Sequence, residues 1–193
     1  MFKRKHEFRP DKTESGTLNK LYITKKQRTK ALKWLLMTLT LITICVIQDV
    51  VLSRLRLWGT TFDLMVATLL LVCILQDPEI GSIFILAASA VYSFSGSAPG
   101  YYVIALLTVI GVFIAIVRHC YLHASFGSTM LCTAAAIFVY EMAIFGIGLF
   151  FGHTTITRLT DFLIKAGLSV AAMPLMYPIF TAICKIGGET WND

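Results

Sequence analysis

From residue 34 to residue 52 the chain carries Asp49 as its one charged side chain. That stretch is close to the roughly 20 apolar residues needed to cross a hydrocarbon core of about 30 Å as a helix. Five more apolar runs follow, and this repetition limits the fold more than any motif does. The chain is 56% hydrophobic with a mean hydropathy of +0.74, well above the apolar share of about 45–50% in soluble domains. The expected class is an all-α integral membrane protein, folded as a compact six-transmembrane-helix bundle.

Charge is segregated. Residues 1–33 hold most of the lysines and arginines, against Glu7, Asp11 and Glu14 as the acids. The basicity therefore belongs to a cytoplasmic N-terminal segment (1–33) read as largely disordered, whose lysines can face anionic lipid. A transmembrane domain (34–186) and a short cytoplasmic tail (187–193) follow. Positive charge beside a first span is retained in the cytoplasm, and an even number of spans returns the C-terminus there too. No cleavable signal is expected, since a polar leader precedes an apolar run too long for a signal core.

The spans are expected at 34–52, 58–76, 80–95, 100–118, 126–151 and 162–186. Two arginines, Arg54 and Arg56, then Trp58, Gly59 and Thr60-Thr61 mark a headgroup-level turn between the first two. Gln76-Asp77-Pro78-Glu79 separates the second from the third, and Ser95 to Gly100 the third from the fourth. Small residues four apart, Gly111 with Ala115, Gly148 with Gly152 and Gly167 with Ala171, predict close helix approach. Pro174 and Pro178 predict a kink in the sixth span.

Glu141 is the most informative side chain, because it falls near the middle of the fifth span. A carboxylate there costs at least ~2.5–3.5 kcal/mol, so it must face the bundle, be protonated or be paired. Lys165 is a candidate mate. Asp63 reads as a helix-start residue, favoured by the helix dipole. Arg54 and Arg56 read as a solvated turn or a docking edge for an extracytoplasmic partner.

Enzyme chemistry finds little footing. Ser95 and Ser97 have no histidine in a neighbouring apolar run. His119 and His123 stand at metal-ligand spacing without a nearby carboxylate, and Cys45, Cys73, Cys120, Cys132 and Cys184 form no C-x-x-C pair. No cofactor or metal is expected. The basic tail lacks the aromatic interleaving used on single-stranded nucleic acid.

From Leu52 onwards the pattern resembles the rod shape-determining MreD family. Leu55-Arg56-Leu57, Gly59 and Phe62-Asp63-Leu64 carry the likeness, with Asp77 to Gly81, Phe94-Ser95-Gly96-Ser97, Gly100 and Tyr140-Glu141. It covers about 50–150. Ala90-Val91-Tyr92-Ser93 departs from it, standing where members commonly have an acid-containing ending to the third span, and the basic leader is longer than usual.

The resemblance implies a non-enzymatic, multi-pass subunit of the bacterial cytoplasmic membrane. It would pair with an MreC-like single-span protein and link MreB filaments to peptidoglycan synthases. Arg54, Arg56, Asp63 and Glu141 are then the positions expected to organise the bundle or the docking. The family's fold is similar to the S components of energy-coupling-factor vitamin transporters, which supplies an alternative: a ligand cavity on the outer side, lined by Trp58, Tyr92, Tyr101 and Tyr102.

Overall fold

The computed structural model describes residues 25–54, 59–61, 63–96, 98–121 and 125–186. Among them are six α-helices: α1 (Lys25–Ile47), α2 (Leu64–Leu75), α3 (Pro78–Phe94), α4 (Tyr102–Tyr121), α5 (Phe126–Phe150) and α6 (Leu159–Lys185). A π-helical turn, Gln48–Leu52, extends α1, and a 3₁₀ turn, Ile156–Arg158, leads into α6. Four helical stretches are long and apolar enough to cross a membrane: Gln27–Leu52, Tyr102–Tyr121, Phe126–Phe150 and Ile156–Lys185. The chain is a helical membrane protein.

Its core is α2. The sequence Leu64-Met65-Val66-Ala67-Thr68-Leu69-Leu70-Leu71-Val72-Cys73-Ile74 has no polar face, and every one of these residues is buried. A helix apolar all round belongs inside other helices, and α2 touches each of the other five. It is also short. Twelve residues rise only about 18 Å, so α2 falls short of the span expected over 58–76. The missing turns lie at its start, where Gly59 takes a left-handed φ of 83° and Asp63 sits outside the helix as its cap.

The outer faces are oily. Leu35, Leu39, Ile83, Val109, Phe113, Leu131 and Leu175 are more than half exposed, which in water would be an aggregation surface. Polar side chains lie inside instead: Gln48, Asp63, Thr68, Gln76, Ser89, Arg118, Thr129, Thr133, Glu141 and Ser169 are buried.

Small residues do not all pack as expected. Gly111 faces α3 and α2, where an added Cβ would collide with the Ile85 side chain, and Ala115 is buried one turn on. Gly148 packs on Thr154 of the following loop, and around Gly167 there is open space. The closest approach to another helix's backbone lies at Gly81, a glycine outside those pairs: its Cβ would stand 2.7 Å from the Cys73 carbonyl oxygen. Helix α1 begins by Lys25, so the last part of the basic segment is helical. Pro174 and Pro178 both lie within an unbroken α6.

Candidate functional site: a buried charge cluster at the head of α2

A helix leaves its first N–H groups without intrahelical partners, and where that end is buried they must be met by side chains. At α2 they are met from three directions. The Asp63 carboxylate accepts from the Val66 N–H at 3.2 Å as an N-cap. Leu64 N–H donates to Gln48 Oε1 at 3.0 Å, and Asp63 N–H donates to Ser169 Oγ at 3.1 Å. The π-helical turn sits where Gln48 makes this bond, in keeping with the tendency of such turns to occur at functional sites. Helices α1, α2 and α6 are thereby tied at one point.

The same carboxylate joins a second set of groups. Tyr92 of α3 donates its hydroxyl to Asp63 Oδ2 at 2.5 Å. Lys165 of α6 places Nζ 3.0 Å from Glu141 Oε1 and 3.8 Å from Asp63 Oδ2. The Asp63 and Glu141 side chains are 6% and 2% exposed, while that of Lys165 is 22% exposed. Two carboxylates therefore share one ammonium in an apolar bundle. Desolvating charge on this scale is costly unless the partners are close and hydrogen-bonded, and the Tyr92 hydroxyl and the cap N–H supply those bonds. Tyr140 is fully buried beside both carboxylates, and its hydroxyl, like Glu141 Oε2, has no hydrogen-bond partner among the described residues.

The opposite end of α2 is also held. Arg118 of α4, buried, donates through Nη1 to the Ile74 carbonyl oxygen, one of the last carbonyls that α2 leaves open. Gln76, just beyond, donates to Met37 Sδ of α1 at 3.5 Å and to Cys184 Sγ of α6 at 3.4 Å.

Among the residues singled out by sequence, the fold joins Asp63 and Glu141 through Lys165. Arg54 is exposed after the π-helical turn, and Arg56 and Trp58 lie outside the described residues. Tyr92 points into the core and not into an outer cavity, while Tyr101 is 75% exposed. Tyr102 lines a cavity of about 480 Å³ with Phe151, His153, Thr154 and Phe162, at the end of the bundle where α5 gives way to α6. Arg118, the last residue of the expected fourth span, is an interior residue.

Sequence reasoning passed over Gln48 and Ser169, which are ordinary polar residues in apolar runs. Their signal was faint: both fall in spans that otherwise need few polar atoms. Ser95 donates its hydroxyl to the Tyr92 carbonyl at 2.8 Å, a local turn bond. His119 is exposed, and His123 lies outside the described residues. No group of three or more His, Cys, Asp or Glu side chains among the described residues is placed to hold a metal.

Comparison with protein-family models, curated proteins and solved structures finds no match.

Proposed function

We propose that the chain is a non-enzymatic membrane scaffold of the MreD type, working in the bacterial cytoplasmic membrane. It pairs with an MreC-like single-span protein and, through it, couples MreB filaments to peptidoglycan synthesis. One observation carries this reading. Asp63 and Glu141, the acids of the two motifs Phe62-Asp63-Leu64 and Tyr140-Glu141, are far apart in sequence yet meet across one ammonium. The cluster's charges are engaged with one another, an arrangement that fixes helix positions and leaves no nucleophile and base poised for turnover.

The proposed topology has six crossings with both termini in the cytoplasm. Helices α2 and α3 are short, of 12 and 17 residues, but α2 is wrapped by longer helices and its ends are capped by side chains, so neither end must reach a headgroup. Cys120, exposed at the end of α4, should then react with an impermeant maleimide from the cytoplasmic face only. Reaction from the outer face alone would reverse the layout.

The pairing is tested by recovering the single-span protein from detergent extracts. Arg54→Glu and Glu141→Leu should each weaken recovery, and unchanged recovery with both would remove these residues from the proposed role. A second reading, a substrate-binding S component of a vitamin transporter, draws support from the cavity at Tyr102. Thermal stabilisation by a vitamin panel would favour it, whereas rounding of cells on depletion favours the scaffold.

A further inference from the structure

Helix α1 touches α3 at one place and Ser95, the residue that caps α3, at another. The Trp34 and Phe84 rings meet with centroids 5.7 Å apart, and further along the Cys45 thiol meets Ser95. Between these contacts runs a groove of about 360 Å³, lined by Thr38, Leu41 and Ile42 of α1, Met65 of α2, and Ala87 and Val91 of α3. Thr38 donates its hydroxyl to the Trp34 carbonyl at 2.6 Å, so it shows the groove a methyl group. The lining is almost wholly apolar.

Magnitudes decide the occupant. The stretch from Trp34 to Val46 along α1 is about 18 Å long, which leaves a section on the order of 20 Å² for the 360 Å³ available. A helix, about 10 Å across, could set only a row of its side chains into that section. A single hydrocarbon chain lies within it whole. Taking a methylene as about the size of a water, ~30 Å³, the groove holds about a dozen. At somewhat over 1 Å per bond in an extended chain, these span most of its length.

Charge supplies the orientation. The α1 stripe that lines the groove continues one turn back from Trp34 to Lys30, with Arg28 exposed nearby, and this first part of α1 holds lysines and arginines without an acid. We propose that the groove between α1 and α3 binds one acyl chain of an anionic glycerophospholipid, its headgroup lying against the basic start of α1. The groove is thus assigned to a lipid, and a partner's transmembrane helix seated in it is an outcome that the test below separates. This stands whether or not the scaffold reading holds.

Native mass spectrometry of the full chain, released from vesicles of equimolar phosphatidylglycerol and phosphatidylcholine, tests the assignment. One phosphatidylglycerol should stay bound after other lipids are stripped. Ala87→Phe, which fills the groove from its exposed rim, should lower that retention about tenfold or more. Ala87→Leu should do so less, and the unfolding temperature of each variant reports that the bundle is intact. Arg28→Glu with Lys30→Glu should abolish the preference over phosphatidylcholine. No retained lipid, retention unaffected by Ala87→Phe in a folded protein, or equal retention of the two lipids by the parent chain would overturn the proposal. So would a disulfide through Cys45 to a second copy or to a partner helix seated in the groove.

Discussion

Lys165 Nζ lies 3.0 Å from Glu141 Oε1 and 3.8 Å from Asp63 Oδ2, so one ammonium on α6 answers carboxylates from α5 and from the cap of α2. Removing it leaves two acids facing each other in an apolar interior. Lys165→Met should destabilise the bundle by about 3–5 kcal/mol, the usual cost of stranding a buried charge. Replacing Glu141 as well, by Leu, should recover part of that loss. Unfolding in detergent across the four proteins of this double-mutant cycle measures the coupling; strict additivity would deny the pair.

Asp63 does two things at once, capping α2 and accepting from Tyr92. Asp63→Ala removes both and should cost about 1–2 kcal/mol for the cap, with a further ~1–3 kcal/mol for the Tyr92 hydroxyl left buried without its acceptor. Asp63→Asn keeps a side-chain oxygen for the Val66 N–H and should cost clearly less. Tyr92→Phe separates the two effects. Equal destabilisation by Asn and Ala would mean that charge, and not capping, dominates at this position.

Glycines in this protein divide by what their missing side chain would strike. Gly81→Ala drives a methyl into the Cys73 carbonyl, part of a backbone that cannot yield, and should cost about 1–3 kcal/mol. Gly167→Ala meets nothing within 4 Å and gains helix propensity, so it should stabilise by about 0.5–1 kcal/mol. Opposite signs in thermal unfolding are the expected result.

Arg118 holds the Ile74 carbonyl at the tail of α2. Arg118→Met keeps the apolar stem and removes the donor, so it should cost about 1–3 kcal/mol. Hydrogen exchange should rise first in the last turn of α2 and at Gln76, while the head of α2 keeps its protection. Uniformly faster exchange along α2 would show that Arg118 does more than secure one end.

Much of this was legible in the chain. The length and oiliness of the runs were enough to place helices in a membrane, because a lipid-exposed backbone must satisfy its own hydrogen bonds. The cost of a carboxylate inside a span was enough to single out Glu141 and to suggest Lys165 as its mate, and Asp63 before an apolar run already read as a helix start.

Tertiary structure alone decided the rest. Local pattern shows that Asp63, Tyr92, Glu141 and Lys165 are unusual where they stand, but their meeting depends on how four helices pack, which no spacing along one helix encodes. Gln48 and Ser169 gained their roles because α2 starts inside the bundle, where its open N–H groups have no water to turn to. Arg118 gained its role at the other end for the same reason. The shortness of α2 was hidden because hydropathy records which residues avoid water, and a buried core helix avoids it as fully as a crossing one does.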